Sequence, residues 1–259
     1  MDLRSDTRAH RLRAVPTFRV LFAALVAAQL AYGKMPGRRT RAQTLGVVGL
    51  LAATSTAEAC AARGARRGLG LLAAAGGAGY AAEVVGVATG RPFGHYHYSR
   101  LLGPGWRGVP FLVAVAWMLM ARPAWVVAGL VSRTPAARVA LAAGALTAWD
   151  VFLDPRMVHE GYWHWPQGGR YEGVPATNFL GWLVTGAGVF ALWAAADGDD
   201  DPRGGDGALA VYVWTWVGES FANAALWGRP RVALAGGAAM GAFAVPALVR
   251  RVRGQWSVL

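Results

Sequence analysis

Long apolar runs alternate with short polar breaks along nearly the whole chain. Each run is about 20 residues, long enough for a helix rising 1.5 Å per residue to cross a hydrocarbon core of about 30 Å. The pattern predicts about eight transmembrane helices, with seven as the lower count, over residues 17–33, 42–62, 68–89, 108–128, 135–153, 175–196, 208–228 and 232–249. The first run is short and follows Arg4, Arg8, Arg11 and Arg13, so it also resembles a signal peptide. No small-x-small cleavage site follows it, and an uncleaved first helix is the better reading. The fourth run carries Arg122 and Pro123, which predict a break or a tilt. The fold expected is all-α, a polytopic integral membrane helix bundle. Residues 17–249 form its single membrane domain, with the motif core at 80–185 and basic tails at 1–16 and 250–259.

Composition agrees with this class. Hydrophobic residues make up 55% of the chain and charged residues 15%, with a mean hydropathy of +0.32; soluble domains carry roughly 25% charged residues. The net charge of +12 would suggest nucleic acid on a soluble protein. Here the arginines sit in short loops and both tails, where they orient helices and meet lipid headgroups, so nucleic acid is not an expected partner. The expected location is the cell membrane, multi-pass, with both ends cytoplasmic. One cysteine, Cys60, allows no internal disulfide, and one lysine, Lys34, lies at a predicted membrane edge, unlike the lysine of a retinal Schiff base. The polar stretch 197–207 is expected to be a loop with solvated acids.

Two segments repeat. Residues 83–117 and 150–182 each begin with an acid near a helix end, Glu83 and Asp150. Eleven residues on, each has Gly-x-aromatic-His-aromatic, once from Gly94 to Tyr98 and once from Gly161 to Trp165. Each then has Gly-Val-Pro (108–110 and 173–175), and nine residues after that glycine a tryptophan, Trp117 or Trp182. A duplicated helix–loop–helix accounts for this. Two spans separate the copies, so both loops are expected on one side of the membrane, with Glu83, Asp150, Asn178 and Glu219 converging in one layer. Three stripes point the same way: Gly79, Glu83, Gly86 and Gly90; Asn178, Gly181, Trp182 and Thr185; and Tyr212, Thr215, Trp216, Glu219 and Asn223. Intramembrane acids are costly and are functional candidates. The plainer alternatives are that Glu219 caps a helix or pairs with an arginine, that Asp154 ends a helix before Pro155, and that Trp106 and Trp125 belong to an interfacial belt.

No Ser-His-Asp order, phosphate loop or dinucleotide fingerprint occurs, and the histidines lack the helical spacing of a zinc site, so no metal and no cofactor is expected. Asp150 and Asp154, four apart, suggest a magnesium–diphosphate site as a lesser reading, with Arg156 and Arg170 as basic partners. Carboxyls in an apolar, aromatic-lined pocket suit another chemistry. A buried carboxyl can keep its proton and protonate an alkene, and ring faces stabilise the resulting cation. The catalytic candidates are therefore Asp150, Glu83, Asp154 and Glu219. Asp150 is favoured as proton donor, because Trp149, Asp154 and the rings of 162–165 share its segment. Candidate substrate contacts are His97, Tyr98, Trp149, Trp163, His164, Trp165, Tyr171, Asn178 and Trp182.

The stretches GRPFGHYHYSRLLGPGWRGVP, WDVFLDPRMV, GYWHW and GRYEGVPATNFLGW resemble the membrane carotenoid-biosynthesis family that contains the carotenoid 1,2-hydratases. The likeness is strongest over residues 83–182. It implies a lipophilic carotenoid substrate and cofactor-free addition of water across the terminal carbon–carbon double bond of an acyclic end, giving a tertiary alcohol. Other carotenoid-pathway enzymes are expected neighbours in the bilayer. The alternatives are cyclisation or magnesium-dependent prenyl transfer on the same substrate class, and a transporter or carotenoid-binding scaffold.

Overall fold

The computed structural model describes residues 3–35, 40–197 and 205–256. Eight helices account for most of them: α1 (Leu3–Lys34), α2 (Arg41–Arg63), α3 (Ala65–Thr89), α4 (Leu112–Val131), α5 (Pro135–Glu160), α6 (Ala176–Asp197), α7 (Asp206–Phe221) and α8 (Pro230–Trp256). Among the described residues seven helices are long and apolar enough to cross a membrane. The eighth, α7, has 16 residues and continues through a π-helical turn, Ala222–Leu226. The protein is an all-α, multi-pass membrane bundle. The helices overrun the predicted limits at both ends of the chain, so part of each expected basic tail is helical. Asp199, Asp200 and Asp201 lie outside the described residues. Asp206, expected to be solvated, instead takes two hydrogen bonds from Arg251, at 2.7 and 2.6 Å.

Two prolines fall inside helices where breaks were expected, and both helices run on. Pro123 lacks the N–H that would satisfy the Leu119 carbonyl; Ser55 Oγ of α2 donates to that oxygen at 2.7 Å. Arg122 beside it is buried against Glu58 of α2, with Nε 3.2 Å from Oε2. The fourth helix is therefore continuous through its charge and its proline. Pro155 likewise releases the carbonyl of Val151, and the Tyr171 hydroxyl donates to it at 2.9 Å. Helix α5 continues to Glu160, so Asp154 is an interior helical residue and not a helix end. Leaving either carbonyl buried and unpaired would cost about 1–3 kcal/mol.

Helices α3 to α6 form a ring in which α3 packs on α4, α4 on α5, α5 on α6 and α6 back on α3. Close approach is built in: a side-chain carbon at Gly79 would lie 2.2 Å from the Trp117 ring. The repeat governs this ring. Strand β1 (His97–Tyr98) pairs antiparallel with β4 (Trp163–His164), opposing His97 to His164 and Tyr98 to Trp163. Tyr96 meets Trp165 at 5.7 Å between rings, and Tyr98 meets Trp163 at 5.6 Å. A local two-fold axis through the His97–His164 pair exchanges these two contacts. Trp117 and Trp182, the matching tryptophans, stack face to face at 4.2 Å. Each loop also ends in a tight hairpin. In the first, β2 (Gly105–Trp106) returns as β3 (Val109–Pro110), and in the second Tyr171 bridges Val174. Among the described residues the only non-glycine positions with positive φ are Arg107 and Glu172, at matching places in these turns.

Candidate active site

The pairing of the two loops lays a lid of rings over the ring of helices. Beneath it lies a cavity of about 380 Å³. Tyr96, Tyr98, Trp117, Trp149, Trp163, Trp165 and Trp182 contribute to its aromatic surface, and Glu83, Asp154, Asn178 and Glu219 are among its polar points, with Lys34 and Arg156 as its cations. Trp149 meets Trp182 edge-on at 6.2 Å, continuing the Trp117–Trp182 stack.

Glu83 projects from α3 and is 4% exposed. Its two carboxylate oxygens accept three hydrogen bonds: from the Tyr96 hydroxyl, from the Tyr98 hydroxyl at 2.9 Å and from Trp117 Nε1 at 3.3 Å. Period-two alternation in the strand puts Tyr96 and Tyr98 on one face and His97 on the other. Burial, and after it the charge of Glu83, push both phenols above their ordinary range, so they stay donors at neutral pH. A carboxylate with three donors on two oxygens is the arrangement of a fixed anion.

The second half of the repeat is built differently. Asp150 is fully buried and Asp154 is 2% exposed, one helical turn apart on α5. Asn178 of α6 clasps both: Nδ2 donates to Asp150 Oδ2 at 2.9 Å and also to Asp154 Oδ2. Trp163 Nε1 donates to Asp154 Oδ1 at 3.0 Å. Four oxygens thus share three donations, and Asp150 Oδ1 receives none. Asn178 Nδ2, bonded to one oxygen of each, holds the two carboxyls close together, an arrangement that suits a shared proton. The two side chains bonded to the pair, Asn178 and Trp163, are donors. Donors bonded to these oxygens occupy positions that a cation would need, which counts against a magnesium–diphosphate site here. Among the described residues no three His, Cys, Asp or Glu side chains cluster as metal ligands.

A profile described as "Carotenoid biosynthesis protein" matches residues 42–245, a stretch that holds every one of these groups. The chain belongs to the carotenoid biosynthesis protein family. A relative from Haloarcula japonica, bisanhydrobacterioruberin hydratase, is 35% identical over 113 residues, 42% of this chain. The chain spans 38% of that relative's length. No solved structure matches it.

In this carotenoid biosynthesis protein the expected site residues separate into three groups. Glu83, Asp154, Asn178, Glu219, Tyr98, Trp149, Trp163, Trp165 and Trp182 line the common cavity. Asp150 does not; it sits behind Asp154 and Asn178, because residues one turn apart share a face but not a depth. His97 and His164 also fall outside, on the exposed face of the lid, their rings 5.8 Å apart. Tyr171 is engaged with the Val151 carbonyl and packs on Phe179. Glu219 faces the cavity but is paired, with Arg156 Nη1 3.5 Å away and Asn223 Nδ2 donating at 3.3 Å. Arg156 is held in turn by Glu160 at 3.3 Å and by the rings of Tyr32 and Trp227, 4.6 and 4.5 Å from its guanidinium carbon. Sequence reasoning missed Tyr96 and Trp117 as wall residues and read Arg156 only as a basic partner of a diphosphate. Strand alternation carried the signal for Tyr96, and the repeat carried it for Trp117, the partner of Trp182. Nothing local marked Arg156 as the partner of Glu219 on another helix.

Proposed function

We propose that this protein hydrates the terminal carbon–carbon double bond of an acyclic carotenoid end group, without a cofactor, in the cell membrane. The observation that carries the reading is the under-bonded Asp150–Asp154 pair facing a ring-lined cavity, opposite a fully bonded Glu83. Family membership supports carotenoid chemistry, and the partial likeness to a hydratase supports water as the reagent.

The steps follow from the groups present. The proton shared by the pair passes from Asp154, the member on the cavity wall, to the less substituted alkene carbon. A new C–H bond forms from the π electrons, and the positive charge develops on the tertiary carbon. The Trp117–Trp182 stack and the Glu83 carboxylate stabilise that charge, the rings by cation–π attraction and Glu83 by its fixed negative charge. Water adds to the tertiary carbon, and its surplus proton returns to the Asp pair. The sum is alkene plus water giving a tertiary alcohol, with the acid regenerated. Co-expression with an acyclic carotenoid pathway tests this. Pigments heavier by one water per reacted end support hydration. Unchanged mass with a new ring indicates cyclisation, added carbon indicates prenyl transfer, and unaltered pigment indicates a carrier.

A further inference from the structure

The cavity reaches the outer surface of the bundle between α1 and α7. Helix α1 packs along α2 and not along α7. Besides Phe18 against Gly207, it meets the seventh helix and its π turn at two places flanking the cavity. Trp214 Nε1 donates to Gln29 Oε1 at 2.5 Å, and near Gly33 a side-chain carbon would lie 3.0 Å from Leu226 Cδ1. Between these points Leu30, Val217 and Phe221 line the cavity while being 50%, 51% and 59% exposed. Exposed apolar side chains are ordinary on a membrane protein. Residues that belong at once to the lipid-facing surface and to the wall of an acid-bearing cavity are not, because they form the rim of an opening. Lys34, one turn beyond Leu30 on α1, also lines the cavity, so the apolar part of the rim is Leu30, Val217 and Phe221.

We infer that this opening is a lateral portal, through which a linear apolar polyene projects from the bilayer into the cavity while the remainder of its chain stays in lipid. The inference rests on the reading of a carotenoid end-group substrate and adds how that substrate is held. A cavity of about 380 Å³ is at the small end of the roughly 300–1,000 Å³ of pockets that enclose a drug-sized ligand. It encloses an end group; a long rigid polyene must leave it. The polar side of the cavity, with Lys34, Arg156 and Glu219, offers no apolar route, whereas Leu30, Val217 and Phe221 do. The portal therefore makes chain length, and not only end-group structure, a determinant of specificity. Short isoprenoids with the same terminal alkene do not need the opening once inside, but a long polyene must occupy it throughout turnover.

The test uses the full-length protein in vesicles. A photoreactive residue at Phe221 should crosslink to a bound long polyene, whereas the same residue at Leu234, a lipid-facing position of α8 that is 75% exposed, should not exceed background. Equal labelling at both positions, or none at Phe221 with pigment bound, overturns the portal. In parallel, Leu30→Trp with Val217→Trp should lower kcat/KM for the long polyene by about tenfold or more, whereas Leu234→Trp on the lipid-facing surface of α8 should leave it within about twofold. Unchanged turnover of the long substrate in the rim variant, or equal losses in both variants, overturns it as well. If the unmodified protein binds polyene at Phe221 but adds no water, the hydration reading falls and the portal stands.

Discussion

Glu83 and Asp150 occupy matching positions of the repeat and differ in what reaches them. In the first half Tyr96, Tyr98 and Trp117 all donate to Glu83. Their counterparts are Trp163, Trp165 and Trp182. Trp163 Nε1 turns to Asp154, Trp165 Nε1 donates to the Phe93 carbonyl at 3.0 Å, and Trp182 stacks on Trp117. Exchanging two tyrosines for tryptophans removes two hydroxyl donors from the second carboxyl. The second half also gains Asp154, where the first has Val87, and Asn178, where the first has Val113. One scaffold thus holds a saturated carboxylate on one side and a carboxyl pair short of donors on the other. Within the shared frame, divergence separated a carboxylate with three donors from a carboxyl pair with fewer, which the proposed mechanism uses as fixed anion and proton donor.

The comparison breaks most sharply at Asp154. Asp154→Asn keeps the size and removes the acidity, and should lower the hydration rate by about 10²–10⁴-fold, the usual contribution of a general acid, with the protein still inserted in membranes. Asp150→Asn should be damaging but less so, since Asp150 acts through Asp154. Equal, small effects at both positions would dissolve the distinction between the halves. Next in size is Glu83→Gln, where losing the fixed charge should cost about ten- to a hundredfold in kcat with KM little changed.

Tyr171→Phe examines the frame that holds Asp154. Freeing the Val151 carbonyl should cost about 1–3 kcal/mol, read as a lower unfolding temperature in detergent, and should reduce turnover because Asp154 directly precedes Pro155, the residue that releases this carbonyl. Ser55→Ala, which frees the Leu119 carbonyl of α4, should cost a similar amount of stability with less effect on turnover. His97→Ala and His164→Ala are the smallest expected changes. Both rings are on the outer face of the lid, and activity should stay within about twofold. A large loss at either histidine would move the chemistry to that face.

Where sequence reasoning succeeded and where it stopped follow from the range of the interactions. Apolar run length located the helices, and the Glu83 and Asn178 stripes located two cavity walls, because both depend on local periodicity. Pro155 predicted a helix end at Asp154; the hydroxyl that prevents it belongs to Tyr171, 16 residues on and across the loop. Asp150 and Asp154 share a helix face, but which one meets the cavity is decided by Asn178 on another helix. The histidines stood out by residue type, while strand alternation placed the tyrosines and tryptophans beside them on the inner face. The Tyr-to-Trp exchange between repeats was visible as letters. Its consequence needed the positions of the donors.

The central claim is that a cavity carboxyl delivers a proton to carbon before water adds. Turnover in deuterium oxide tests it most directly. The account predicts one deuterium fixed on carbon, next to the new carbinol carbon, for each hydrated end, and no such product from Asp154→Asn. A hydrated product without carbon-bound deuterium, or Asp154→Asn forming the labelled product at the unmodified rate, would contradict it.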